Sequence, residues 1–232
     1  MDQNFLNKLS EELLLKVKME EHTAAIRLEL ESLNPNTLLI NLSNDHKKIA
    51  FWINVYNAYY QIIRKEENLS KSAVYSKKLF SITGELLSLD DVEHGILRRY
   101  RYKYSLGYFA NLWASKFVKR HAVEKLDYRI HFALNCGAES CPPIAFYNVK
   151  DIDEQLNKAT KGFLDVESEF NDQKKIVYTT ALFKWFYADF GGKKGIKKIY
   201  KEQLNKDISD YKIKYKKYSW EDDLNNFVPD AP

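Results

Sequence analysis

Between Ile49 and Ile63 the chain is apolar or aromatic at nearly every position. A helix through this run presents apolar surface on every side, so it is satisfied only at the centre of a folded domain. The run falls short of the roughly 18–20 apolar residues that span a bilayer. It also carries Asn54, Asn57 and Gln61. At i, i+3 and i+7 these amides form one polar stripe on the helix. Buried amides need partners, so the stripe is expected to buttress loops or to hold a catalytic group. With 232 residues, 45% of them hydrophobic, the chain can bury a sizeable core around this helix.

Charge excludes some functions. Net charge is only +4, and lysines alternate with acids along most of the chain. Binding phosphate polymers requires cations gathered into a patch, so no nucleic-acid partner is expected. The two cysteines, Cys136 and Cys141, are too few for a secreted disulfide scaffold. The N-terminus lacks a basic start followed by an apolar run. A cytoplasmic protein without a membrane span is therefore expected.

The remaining segments read as one α+β domain, a small and mostly antiparallel sheet surrounded by helices. Residues 4–33 repeat apolar positions at helical spacing up to the Asn34-Pro35-Asn36 breaker. Leu79–Thr83 and Leu86–Leu89 flank Gly84-Glu85 as a β-hairpin. Ser88 and Asp91 stand at capping-box spacing before a short helix. Residues 101–120 are aromatic and basic with no clean period. Tyr128–Asn135 alternates as a strand, with Ile130, Phe132 and Leu134 on one side and Arg129, His131 and Ala133 on the other. Further elements are an amphipathic helix over 151–164, a strand over 174–180, an aromatic helix over 181–190 and a helix over 195–204. This divides the chain into a helical region at 1–44 packed on the domain, the domain at 45–220, and a tail at 221–232.

Three clusters carry chemistry. His131, Cys136 and Cys141 lie on or just past one predicted strand, with Glu139 and Ser140 in the turn between the thiols. A cysteine becomes a nucleophile when a base or cation stabilises its thiolate. Backbone amides after Gly137 can form an anion-stabilising nest. The bland alternatives are cysteines serving as small core residues and a histidine satisfied inside the fold. The spacing His-x4-Cys-x4-Cys also offers one nitrogen and two sulfur ligands to a metal, with His94 or Glu139 as a fourth. The second cluster is Glu93-His94 with Arg98, where His94 and Arg98 share a helix face. The third is the amide stripe itself.

Three long stretches together resemble the domain-of-unknown-function family numbered 547. They are Ala50-Phe-Trp-Ile-Asn-Val-Tyr-Asn-Ala58, Leu89-Asp-Asp-Val-Glu-His-Gly-Ile-Leu-Arg98, and Arg129-Ile-His-Phe-Ala-Leu-Asn-Cys-Gly-Ala-Glu-Ser-Cys-Pro-Pro143. Leu182-Phe-Lys-Trp-Phe-Tyr-Ala-Asp-Phe-Gly191 agrees with it too, and the likeness covers residues 45–220. The family's closing Tyr-Asp-Trp stretch is altered here, with Ser219 in place of the aspartate. The family carries no settled activity. Its plant relatives add a leucine-zipper-like region, which implies interaction, but residues 4–33 lack a sustained heptad. The resemblance includes Glu93, His94, Arg98, His131, Cys136 and Cys141, and so strengthens a cysteine-centred reading.

That reading expects a cysteine-dependent hydrolase or acyl-transfer enzyme, papain- or transglutaminase-like in fold and chemistry. Cys141, presented outward, or Cys136, packed at a strand end, attacks a carbonyl. His94 or His131 is the base, Glu93 orients it, and Arg98 offers charge to the substrate. Asn54, Asn57, Glu139 and Ser140 support the site. No cofactor is expected, and the partner is a small-molecule or peptide substrate. The alternatives are a non-catalytic interaction domain and a Cys/His metal-binding domain.

Overall fold

The computed structural model describes residues 4–229. The predicted N-terminal helix is two helices, α1 (Phe5–Lys18) and α2 (Ala24–Ser32). Glu20 adopts a positive φ of 58°, and the amide of Glu21 reaches back to the Lys16 carbonyl. This closes α1 as a helix end and lets α2 turn away. α3 (Pro35–Asn41) starts at Asn34, whose side chain accepts from the Asn36 amide, with Pro35 in the first turn.

The apolar run forms α4 (Asp45–Glu66), capped by Asn44 and buried without a break from Ile49 to Ile63. α1 lies along it. α5 (Lys71–Ser76) leads into the hairpin of β1 (Phe80–Ile82) and β2 (Glu85–Leu87), whose turn is Thr83-Gly84, one residue before the predicted Gly84-Glu85. The capping box is present: the Ser88 amide donates to the Asp91 carboxylate, and the Asp91 amide donates to the Ser88 hydroxyl. The helix it opens, Asp91–Leu97, has the wider π geometry. α6 (Lys116–His121) follows a protruding loop.

Tyr128–Phe132 is a 3₁₀ turn, which corrects the predicted strand. Ile130 packs into the core around α4, while Phe132 packs into a second core. From Ile130 on the segment is wedged between two cores and buried on both sides, so alternation does not mark a sheet face here. No strand pairs with it. Asp127 caps its start, and the side chain of Asn57 holds its end by donating to the Ala133 carbonyl (3.0 Å) and accepting from the Asn135 amide (2.9 Å).

α7 (Ile152–Glu167) spans both cores. The second core also holds a sheet in the order β3 (Glu169–Asn171), β4 (Ile176–Thr179), β5 (Lys212–Tyr215), antiparallel then parallel. The aromatic segment is helical only over α8 (Leu182–Trp185), a shorter helix than predicted. Beyond it the chain bends so that Asp189 turns inward. α9 (Gly192–Leu204) completes this layer. Residues 221–228 run back along the cysteine loop, with the Glu139 amide on the Glu221 carbonyl and the Ile144 amide on the Asn226 carbonyl. The stripe reaches here as well, since Gln61 accepts from the Asn225 amide.

Asn54 repeats the device by donating to the Tyr147 carbonyl and accepting from its amide. These amides act as a substitute strand edge inside a helical core. Replacing one leaves two buried backbone groups without partners, each costing about 1–3 kcal/mol. Asn57→Ala is therefore expected to destabilise by about 3 kcal/mol. Urea unfolding measures this, and a loss below about 1 kcal/mol counts against the clamp.

Candidate functional site

The π-helical turn, the 3₁₀ turn and the bend after α8 meet around one carboxylate. Asp189 Oδ2 accepts from Arg98 Nε at 2.6 Å and from His131 Nε2 at 2.9 Å. Both members of the Arg98–Asp189 pair are shut off from solvent, at 0% and 1% exposure. Phe186 closes the group: it stacks on His131 at 3.9 Å, and the Arg98 guanidinium lies 4.6 Å from its ring centre. Burial pushes His131 below its ordinary range, so the neutral ring donates through Nε2. Burial acts to raise Asp189, but the hydrogen bonds from His131 and Arg98 and the Arg98 charge prevail and hold it low.

Arg98 Nη1 also lies 2.7 Å from His94 Nδ1. An arginine only donates, so Nδ1 accepts and His94 carries its proton on Nε2, which faces Asp90 Oδ1 at 3.6 Å. Burial and the Arg98 charge push His94 well below its usual value. Neither ring nitrogen is left to take a proton from a thiol. Asp90 is fixed in turn by Lys103 at 2.6 Å. Glu93 is placed differently. Its Oε2 accepts from the Tyr56 hydroxyl at 3.1 Å, and burial raises its pKa to about 7 against the pull of Arg98.

A cleft of about 390 Å³ opens over this network. Glu93, His94 and His131 line it together with Cys136 and Cys141. Thus three of the predicted chemical groups, from two parts of the chain, share one hollow with both sulfurs. The sulfurs are joined as a disulfide, with the Tyr218 hydroxyl 3.0 Å from each. Cys141 Sγ also lies 3.0 Å from the Cys136 amide. The loop is held by Asn135, which donates to the Pro142 carbonyl and accepts from the Gly137 amide. Gly137 has φ +64°, and a side chain there would run into Tyr60, so only glycine fits.

Several expectations change. Cys141 is the buried thiol at 5% exposure, and Cys136 is the more open one, the reverse of the predicted order. The ring of residues 138–141 folds inward under Tyr218, which covers Cys141. Arg98 does not face a substrate, because Asp189 holds it inside. Ser140 acts as support by accepting from the Ser219 amide, while Glu139 is exposed and contributes its backbone. The metal reading does not assemble: His131 is turned to Asp189, and the sulfurs are turned to each other. Among the described residues no group of three His, Cys, Asp or Glu side chains is placed to hold an ion.

The sequence reading missed Asp189, Tyr56, Tyr218, Asp90 and Lys103. One signal was available for Asp189. It is the single acid in the aromatic stretch Leu182–Phe190, and a carboxylate among core residues needs a partner.

The Glu93 carboxyl has a consequence for stability. A carboxyl whose folded pKa lies above its unfolded value binds its proton more tightly when folded. The stability it adds is complete below the unfolded pKa of 4.5 and is lost as pH rises to about 7. Glu93→Gln is therefore expected to stabilise the protein at pH 8, by on the order of 3 kcal/mol, and to have little effect at pH 4. Thermal unfolding at the two pH values checks this, and equal effects at both would remove the assigned shift.

Residues 39–164, more than half of the chain, match the family described as "Protein of unknown function, DUF547". No curated protein and no solved structure matches the chain at a significant level. The matched stretch holds the amide stripe, Glu93, His94, Arg98, His131 and both cysteines; Asp189 and Tyr218 lie beyond it. The chain belongs to the DUF547 family.

Proposed function

We propose that the chain is a cysteine-dependent hydrolase or acyl-transfer enzyme whose thiol is released by reduction of the Cys136–Cys141 disulfide. The observation that carries this reading is the shared cleft, where both sulfurs open onto the hollow lined by Glu93. An external dithiol supplies two electrons and is itself oxidised to a disulfide, leaving two thiols on the chain. Cys141 is the nucleophile, since the Cys136 amide and the Tyr218 hydroxyl both approach its sulfur, as donors that stabilise a thiolate do. Glu93 takes up the thiol proton. The Tyr218 hydroxyl meets the sulfurs, and burial together with the Glu93 charge pushes its pKa up, so it stays a donor.

Attack by the Cys141 sulfur on a carbonyl forms the thioester bond and expels the leaving group, which takes a proton from protonated Glu93. Water or an acceptor amine then cleaves the thioester. The His131–Asp189–Arg98 group lies behind this chemistry as a positioning network. Trp185, Tyr218 and Trp220 form an aromatic wall, with Trp185 stacked 5.5 Å from Trp220. This wall suits a substrate with an apolar or aromatic portion.

The second reading is a non-catalytic interaction domain. The disulfide favours it, because an oxidised pair holds no nucleophile and staples the loop under Tyr218. Iodoacetamide labelling after mild reduction separates the two. The catalytic reading predicts that Cys141 reacts with half-maximal rate near pH 7, following Glu93, and that Glu93→Gln moves this toward the ordinary thiol value of about 8.5. Both thiols titrating near 8.5 in the parent protein would leave the interaction domain.

A further inference from the structure

We infer that residues 99–120 form a docking surface for an anionic lipid bilayer, placed so that the cleft opens beside the membrane. This inference stands on observations separate from the chemistry of the cleft.

More than half of the large apolar side chains exposed among the described residues fall between Tyr102 and Trp113. Trp113 is 89% exposed, Leu112 73% and Phe109 71%. Connecting loops ordinarily fold such groups inward or replace them with small polar ones, and a contiguous exposed patch marks a binding face. The loop is also ordered. The Tyr102 amide donates to the Phe109 carbonyl (2.9 Å), the Asn111 amide to the Tyr100 carbonyl (2.6 Å), and Lys119 Nζ to the Leu112 carbonyl (2.8 Å). The apolar tips are therefore held outward by the backbone.

Charge selects the occupant. No acid occurs between Glu93 and Glu124, a stretch that carries Arg99, Arg101, Lys116, Lys119 and Arg120. Arg99, Lys116, Lys119 and Arg120 are exposed. This is the longest acid-free segment of the chain. Aliphatic and aromatic tips flanked by cations match the layers of a membrane interface: acyl chains, then the aromatic belt, then phosphate. A nucleic-acid surface uses aromatic faces for stacking and gives exposed Leu106 and Leu112 no role.

The loop is rigidly tied to the site. The Ala188 amide donates to the Leu106 carbonyl (2.9 Å), and any side chain at Gly107 would run into Asp189. Lys103 and Tyr104 form part of the cleft wall. A bilayer that takes up the tips therefore lies beside the cleft mouth.

Vesicle sedimentation with the full chain tests this. The probes are phosphatidylcholine vesicles, with and without an equal part of phosphatidylserine. We expect at least about tenfold stronger partition into the anionic vesicles. Phe109→Ser combined with Trp113→Ser, and separately Lys116→Glu combined with Arg120→Glu, should each weaken it by about tenfold or more. The circular dichroism of both variants should match the parent, as the changed side chains are exposed. Partition no stronger than into phosphatidylcholine alone, or partition that survives both variants, would overturn the inference. So would binding to single-stranded RNA in the absence of vesicle binding.

Discussion

The Arg98–Asp189 ion pair joins the elements on which everything else at the site depends. Arg98 ends the π-helical turn that presents Glu93 and His94. Asp189 lies in the bend after α8, and the same oxygen receives His131 from between the two cores. Taking two charges out of water is expensive, and this pair is not fully repaid, since Arg98 Nη2 and Asp189 Oδ1 have no hydrogen-bond partner. Such an arrangement does little for net stability. It fixes position instead: with either charge removed the other is stranded, so alternatives to this geometry are disfavoured.

The pair also sets the ionisation of its neighbours. Its guanidinium donates to His94 and keeps that ring neutral, and its charge opposes the protonation of His131. In the proposed reaction the proton-exchanging role then falls to Glu93, the carboxyl raised by burial into the neutral range. On the far side of the cleft the amide stripe of α4 does comparable work with neutral groups. Asn57 holds the chain just before the cysteine loop, and Gln61 holds the returning C-terminal segment that carries Tyr218 and Asn225. One wall is fixed by charge and the other by amides that imitate a strand edge.

Features governed by local periodicity were legible in the sequence. The burial of α4, the capping box at Ser88–Asp91, the presence of the first hairpin and the stripe on α7 each follow from residues within a few positions of one another. The Tyr128–Asn135 strand was misread for a physical reason: alternation describes a sheet face only when one side is free of packing, and this segment is packed on both. Arg98 was assigned to a substrate because its partner stands 91 positions away. Tyr218 meets the sulfurs across comparable distances, 82 and 77 positions. Contacts of that separation leave no spacing pattern. The thiols, the Glu93-His94 pair and His131 were legible as chemical groups; their division into reacting and positioning parts depended on which one faced Asp189.

A double-mutant cycle on the buried pair tests this account most directly. Urea unfolding of Arg98→Met, Asp189→Asn and the double variant gives the coupling energy. Each single change should cost about 3–5 kcal/mol, and the double variant should cost much less than their sum, because no charge is then stranded. Single losses below about 1 kcal/mol, or losses that simply add, would contradict the view that this ion pair holds the site together.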